Sequence, residues 1–235
     1  MKKVAIMQPY FLPYIGYFQL LNSVDEFIIY DNIQFSKRGW IHRNRILQNG
    51  KDVFLGLPIK KDSDYLDVKN RVLADSFEKD KTKLISKIRN NYLKAPQFNN
   101  IFPIVETIMN YESKNLFEFV FNSVITLAKY LNINTPITIS SNIDINHDLK
   151  GEDKVKALVK AVEGTEYINA IGGKELYSKE DFLKEGIILK FIKTTPFVYE
   201  QFKNEFIPFL SIIDVLMFND LNTVKLYLEK QYEFE

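Results

Sequence analysis

Two short apolar runs near the start of the chain most constrain its fold. Residues 4–7 and 27–30 are both apolar, and residues 17–24 between them carry apolar side chains at helical spacing. Because Pro9 stops the first run and Asp31 ends the second, each is typical of a buried strand that leads into a loop. A strand, a helix and a strand within about thirty residues form a parallel crossover unit. The sequence therefore predicts an α/β fold.

The rest of the chain indicates a sheet that is interrupted and then resumed. From Phe77 the apolar spacing becomes helical, and strand patterns return at residues 136–140 and 187–192. We predict an open, mainly parallel, Rossmann-like sheet with helices on both faces and a helical insertion in the middle of the chain. The predicted parts are residues 1–62 (first part of the α/β domain, with the candidate site), 63–134 (largely helical insertion or lobe) and 135–235 (second part of the α/β domain and C-terminal helices).

Three shorter elements complete this prediction. The Asn-Gly pair at residues 49–50 is a tight-turn signal, so residues 45–47 should pair with residues 53–55 in a hairpin. Residues 64–68 alternate between polar and apolar side chains, which predicts a strand. Residues 211–218 are predicted as a buried closing helix whose Ser and Asp serve as caps or internal hydrogen-bond partners.

Composition excludes several classes of function. The 31 Lys and Arg residues are balanced by 30 Asp and Glu residues, so no global positive field draws the chain onto nucleic acid or anionic lipid. The absence of cysteine excludes disulfides, thiol nucleophiles and Cys-ligated metal, and with two distant histidines no metal site is expected. No apolar run is long enough for a signal-peptide core or a membrane span, which predicts a cytoplasmic protein without membrane insertion.

The loop after the first predicted strand is the first candidate site. It combines amide and aromatic side chains, and ligands of open parallel sheets bind outside the carboxyl ends of the strands. Gln8, Tyr10 and Tyr14 are therefore candidates for ligand contact. The alternative is that the prolines and Gly16 only shape a turn while the aromatic rings pack beneath it.

The segment after the second predicted strand, residues 31–45, is the second candidate site. Its basic side chains could bind a phosphate, and the ring of Trp40, the single tryptophan, could stack on a nucleobase or a sugar. The alternative is a solvated basic strand or loop. The candidate side chains of this segment are Asp31, Gln34, Lys37, Trp40, His42, Arg43 and Arg45.

Two later positions are further candidates. Asn169, Gly172 and Gly173 lie where a predicted strand exits toward a helix, and backbone N–H groups at such a place can hold a phosphate or a carboxylate. The alternative is a simple helix-entry turn. Lys60, after the predicted hairpin, is a candidate second anion ligand or a residue of a solvated loop.

These residues resemble a known family. Residues 8–18, 31–35, 40–45, 167–177 and 209–214 resemble the WbqC-like protein family, so the likeness spans nearly the full length. That family is found in bacterial surface-polysaccharide gene clusters, beside sugar-nucleotide aminotransferases and acyltransferases. The resemblance implies a role in making or decorating a nucleotide-linked sugar in O-antigen biosynthesis.

A more distant likeness concerns residues 11–21. They are similar to the loop-helix motif of nucleotidyltransferases and adenylating ligases, with Pro13, Gly16 and the Leu-Leu pair at 20–21 in similar register. The two histidines that stabilise the phosphoryl transition state in that motif are absent here. The likeness thus concerns the fold, and it leaves ATP with Mg as an alternative co-substrate.

Three functions remain open from the sequence. The first is a transferase that forms an amide between a nucleotide-linked amino sugar and an acyl or aminoacyl group, with acyl-CoA as one donor. Its base would be His42 or Asp31 and its oxyanion donor Gln8 or Gln34. Its diphosphate clamp would consist of Arg43, Arg45 and Lys37, with Trp40 or Tyr10 stacking on the base or the sugar. The second function is an adenylating ligase or nucleotidyltransferase-like enzyme that uses Mg-ATP, and the third is a non-catalytic module that binds sugar nucleotides or glycans.

Overall fold

The computed structural model describes residues 1–235 and contains eight strands and eight α-helices. The strands are β1 (Lys3–Met7), β2 (Glu26–Ile29), β3 (Arg43–Gln48), β4 (Lys51–Gly56), β5 (Ile137–Ile139), β6 (Glu166–Ala170), β7 (Ile188–Thr194) and β8 (Tyr232–Phe234). The helices are α1 (Ile15–Asn22), α2 (Phe77–Tyr92), α3 (Phe98–Met109), α4 (Leu116–Tyr130), α5 (Gly151–Ala161), α6 (Lys179–Lys184), α7 (Ile212–Phe218) and α8 (Leu221–Lys230).

Six of the strands form one sheet in the order β5-β2-β1-β6-β7-β8. All neighbours are parallel except β7 and β8, which pair antiparallel at one edge. From β1 the chain moves outward to β2 and β5, then crosses to β6 and β7 on the other side. The topological switch point, where such sheets bind ligands, therefore lies between β1 and β6.

Both faces of this sheet are buried, as β1 illustrates. Ala5 belongs to the larger hydrophobic core, whereas Val4 and Ile6 belong to the smaller one. Because neighbouring strand residues point to opposite faces, these two cores lie on the two sides of the sheet. The smaller core includes side chains of α5 and α6, and the larger core those of the other six helices. The prediction of an open, mainly parallel sheet with helices on both faces is confirmed.

The hairpin of β3 and β4 lies outside the six-stranded sheet. Asn49 and Gly50 both have positive φ, 51° and 73°, as a tight two-residue turn requires. Arg45 faces Phe54 across the pair, so the predicted pairing is confirmed. The middle of the chain carries α2, α3 and α4, the helical stretch that its periodicity predicted.

Two predicted elements differ in the structure. Residues 64–67 form a loop with one bridge, between Gln34 and Asp67, and Val68 begins a short 3-10 helix, so no strand forms there. The helix expected after Gly173 begins only at Lys179, since the Ser178 side chain accepts from the Asp181 amide and caps it there. No helix combines the length and apolar character needed to cross a membrane.

Candidate functional site

A cleft opens at the switch point, between the carboxyl ends of β1 and β6. Its cavity is about 470 Å³. We call it the aromatic cleft because tyrosine and tryptophan side chains form much of its wall. The wall includes Gln8, Tyr10, Tyr30, Trp40, Asn169 and Tyr177.

The two N-terminal candidate segments meet at this cleft through their backbones. The Phe11 amide donates to the Ile41 carbonyl at 3.1 Å, and the Asn44 side-chain amide donates to the Phe11 carbonyl at 3.3 Å. The loop after β1 is thus bonded to the segment that carries Trp40. This contact brings Tyr10, Tyr14 and Trp40 to one wall.

The phenols of the cleft are hydrogen-bond donors at neutral pH. Burial, with a smaller contribution from Tyr14, raises the pKa of Tyr10 to about 12. Burial, followed by Tyr177 and Asp67, raises the pKa of Tyr30 to about 12. Both hydroxyls stay protonated at pH 7, so they can stabilise developing negative charge but cannot act as bases.

The end of β6 is shaped by one glycine. The Asn169 side-chain carbonyl accepts from the Ala170 amide at 2.8 Å, which fixes its orientation in the wall. A Cβ on Gly173 would lie 2.4 Å from Asn169 Nδ2, whereas a Cβ on Gly172 would meet nothing within 4 Å. Only Gly173 is therefore required by packing.

A second cavity of about 390 Å³, the middle compartment, adjoins the cleft and shares Tyr10, Tyr14 and Trp40 with it. Arg45 lines this compartment, with its guanidinium carbon 5.7 Å from the centre of the Trp40 ring. The same guanidinium pairs with Asp52 at 3.0 Å, and its Nε is buried without a partner. Arginine carries five N–H donors, so the group retains donors for an anion.

A third cavity of about 350 Å³, the apolar compartment, continues from the middle one. The two share Tyr14, Thr194 and Phe209. The aromatic cleft, the middle compartment and the apolar compartment thus form a row along the carboxyl edge of the sheet. Tyr14 borders all three.

Neither Asp31 nor His42, the two candidate bases, lines the cleft or the middle compartment. The Asp31 carboxylate is buried and accepts from the Ser140 hydroxyl at 2.8 Å and from the Ser141 hydroxyl at 2.6 Å. The His42 ring lies 5.3 Å from that of Phe35, and its Nδ1 is buried without a partner. Burial, with a smaller contribution from Arg43, lowers the pKa of His42 to about 4.

Four other candidates also lie away from the cleft and the middle compartment. Lys37 pairs with Asp64 at 2.6 Å, and the Gln34 side-chain amide donates to the Asp64 carbonyl at 2.9 Å. Arg43 lies over the Phe54 ring at 4.5 Å. Lys60 is exposed. The candidates that the structure brings together along the row are Gln8, Tyr10, Tyr14, Trp40, Arg45, Asn169, Gly172 and Gly173.

Several residues of the row were not singled out from the sequence. Tyr30 directly follows β2, and Lys193 and Thr194 end β7, so the strand-end rule that found Gln8 would also have found them. Tyr177 and Phe209 lie in irregular segments and had no such signal. The residues missed include Tyr30, Asn44, Tyr177, Lys193, Thr194 and Phe209.

The chemistry of the cleft and the middle compartment is that of donors, cations and aromatic faces. No carboxylate and no imidazole lines either space. Phenols, side-chain amides and Arg45 suit the binding of an anionic, ring-containing ligand and the stabilisation of an oxyanion.

The sequence of the chain matches the model of a protein family and the sequence of a known protein. The sequence model of the WbqC-like protein family matches residues 8–226. The uncharacterized protein Rv1507c of Mycobacterium tuberculosis is 28% identical over 218 residues, which cover 92% of this chain and 93% of that protein. No solved structure matches the chain.

Proposed function

The chain belongs to the WbqC-like protein family, and on that premise we propose that it forms an amide on the amine of a nucleotide-linked amino sugar in surface-polysaccharide biosynthesis. The observation that carries the proposal is the row of three compartments. An aromatic space, a space with Arg45 and an apolar space follow one another in the order that a nucleotide, a sugar diphosphate and an acyl group require.

In this proposal the nucleoside occupies the aromatic cleft. Its base stacks on Trp40 or Tyr10, since flat aromatic faces attract planar rings. Asn169 forms another part of the wall and offers its side-chain amide to the nucleoside.

The diphosphate lies beside Arg45, where the cleft meets the middle compartment. Arginine is suited to this role because its planar fork donates two parallel hydrogen bonds to phosphate oxygens. The amino sugar then extends into the middle compartment toward Tyr14. Thr194 lines that space, and its hydroxyl oxygen, whose proton is donated to Gln19, can accept a hydrogen bond from a sugar hydroxyl.

The reaction is the attack of the sugar amine on the carbonyl carbon of an acyl thioester. A C–N bond forms, the C–S bond breaks, and the departing thiolate takes up the proton that the amine loses. The Tyr10 hydroxyl, which borders the middle compartment, donates to the carbonyl oxygen as negative charge develops on it. Because no carboxylate or imidazole lines the space, the rate gain comes from proximity and oxyanion stabilisation.

The same absence of a base favours a second candidate function. A module that binds a sugar nucleotide or a glycan without turnover needs the aromatic faces, the amides and Arg45, and it needs no base. It predicts the same ligand in the cleft and no product.

Mass spectrometry of reaction mixtures separates these functions. The protein is incubated with UDP- or dTDP-linked amino sugars and either acyl thioesters or free amino acids, with and without Mg-ATP. An amide product from the thioester without ATP supports the transferase. Product only with Mg-ATP establishes the adenylating alternative, and binding without product establishes the binding module.

Paired variants test the location of the site. Arg45→Lys is expected to weaken sugar-nucleotide binding about tenfold, because one bidentate contact is lost. Arg89→Lys, at an exposed position of α2 outside the three compartments, is expected to leave affinity near that of the wild type. Trp40→Ala is compared with Tyr65→Ala, since Tyr65 is 85% exposed and lies outside all three compartments. Equal effects within either pair would contradict the assigned cleft.

A further inference from the structure

The apolar compartment has a floor of buried hydrocarbon and an accessible rim. Ile15, Leu210 and Val215 are buried at its floor, whereas Val198 and Phe209 are exposed at its rim. A concave space with this lining binds apolar ligand groups by removing their surface from water.

Three of the four hydroxyl groups in its wall are already engaged within the protein, and the fourth belongs to Tyr14, at the border with the middle compartment. The Thr194 hydroxyl donates to the Gln19 side-chain carbonyl at 2.7 Å, and the Tyr199 hydroxyl donates to Asp214 at 2.6 Å. The Thr195 hydroxyl donates to the Gln231 side-chain carbonyl at 3.2 Å. A polar occupant would lose its hydration here without gaining these donors, which selects for a hydrocarbon occupant.

The compartment is also continuous with the proposed reaction space. Tyr14, Thr194 and Phe209 border both this compartment and the middle one. The Tyr14 and Phe209 rings stand edge to face with their centres 6.3 Å apart. An acyl chain that enters between these residues places its carboxyl-derived carbon in the middle compartment, beside Tyr10.

We propose that the apolar compartment binds the aliphatic chain of the acyl donor, and that the transferred group is therefore a hydrocarbon acyl group and not an aminoacyl group. This inference rests on the proposed function and names its donor class. In the transfer the carbonyl carbon of the chain gains the bond to the sugar nitrogen and loses the bond to sulfur. The chain itself stays in the compartment until the amide product leaves.

The single tryptophan provides the test, because Trp40 borders the middle compartment that the thioester group would reach. S-acyl N-acetylcysteamine thioesters with chains of two to ten carbons are titrated while the fluorescence of Trp40 is followed. Each added methylene is expected to tighten binding by about threefold to fourfold until the compartment is full. Dissociation constants that do not change with chain length would overturn the proposal.

A matched pair of variants locates the effect. Val198 is 71% exposed and lines the rim, and Leu183 is 66% exposed and lies on α6 outside the three compartments. Val198→Asp is expected to abolish the gain in affinity with chain length, because it introduces a charge at the entrance. Leu183→Asp is expected to retain the gain. Identical behaviour of the two variants would also overturn the proposal.

Titration with UDP- or dTDP-linked amino sugars, read out by the same fluorescence, keeps the two proposals apart. Sugar-nucleotide binding without chain-length dependence would refute the acyl site and leave the proposed function standing. Chain-length dependence without sugar-nucleotide binding would support the acyl site and refute the proposed acceptor.

Discussion

The Ser211 hydroxyl donates a hydrogen bond of 2.7 Å to the carbonyl of Leu12, 199 positions earlier in the chain. Leu12 is fully buried and has a φ of 44°, a left-handed conformation that costs a non-glycine residue free energy. The Ser211 amide donates to the Arg45 carbonyl at 2.8 Å. Ser211, the residue directly before α7, is therefore hydrogen-bonded both to the loop that carries Tyr10 and to the strand that carries Arg45.

Ser211→Ala is expected to lower the free energy of unfolding by about 2–3 kcal/mol, because it leaves the buried Leu12 carbonyl without this donor and also removes the cap of α7. The measurement is urea denaturation followed by far-UV circular dichroism. Ser178→Ala is the control, since Ser178 caps α6 without a long-range bond to a buried carbonyl, and a loss of about 1 kcal/mol is expected. Equal losses in the two variants would show that the bond to Leu12 adds nothing.

Gly173→Ala is expected to weaken sugar-nucleotide binding at least about tenfold, because a Cβ placed 2.4 Å from Asn169 Nδ2 must displace that side chain from the cleft wall. Gly172→Ala is the matched control, as its Cβ has open space and its backbone is not left-handed. Titrations that follow Trp40 fluorescence measure both. If Gly172→Ala weakened binding as much as Gly173→Ala, binding would require a backbone without side chains at this place and would not depend on the position of Asn169.

The sequence was sufficient to predict the sheet and which candidate residues follow its strands. Apolar runs stopped by polar residues identify strands, and parallel strands bring their carboxyl ends to one edge. The positions of Gln8 and Asn169 follow from that rule alone. The detailed neighbours of each side chain do not follow from it, because they depend on elements far along the chain.

Asp31 illustrates this limit. It follows a strand as Gln8 does, but its partners Ser140 and Ser141 come from the end of β5, more than 100 positions later. Nothing local in the sequence distinguishes a carboxylate that faces a ligand from one that receives two serine hydroxyls. Lys193 and Thr194 show the opposite case, in which a residue of the row was not predicted. The strand pattern of β7 was predicted, but its carboxyl end was not predicted to be part of the site.

His42 is expected to make the folded protein less stable in acid. Burial and Arg43 lower its pKa from 6.5 to about 4, so the folded state binds its proton less readily than the unfolded state. Its contribution to stability is present above pH 6.5 and is lost as the pH falls toward 4. Relative to His42→Phe, which keeps a ring but cannot titrate, the wild type should lose about 1–2 kcal/mol over this range, allowing for solvent screening.

Urea denaturation of the wild type and of His42→Phe at pH 7, 6, 5 and 4 measures this difference. The unfolding free energy of the wild type, minus that of His42→Phe, should decrease as the pH falls. Parallel curves would mean that the imidazole titrates equally in the folded and unfolded states.

Asp214 is expected to have the opposite effect on the pH dependence of stability, making the folded protein less stable as the pH rises. Its buried carboxylate accepts from the Tyr92 hydroxyl at 2.7 Å, the Tyr199 hydroxyl at 2.6 Å and the Gln201 amide at 2.8 Å. Burial nevertheless raises the pKa of this carboxyl above its ordinary value, because desolvation outweighs the three donors. The folded state then binds the proton more tightly, so the contribution to stability is present at acidic pH and is lost as the pH rises through the raised pKa.

Asp214→Asn removes the titrating group and keeps one of the two acceptor oxygens, so the loss of the other hydrogen bond lowers stability equally at every pH. The unfolding free energy of the variant, relative to that of the wild type, should therefore rise between pH 3 and pH 7. The comparison is made at equal urea increments and constant ionic strength, so that the other carboxyl groups contribute equally to both proteins. A difference that stays constant with pH would show that the three donors fully compensate the burial of this carboxylate.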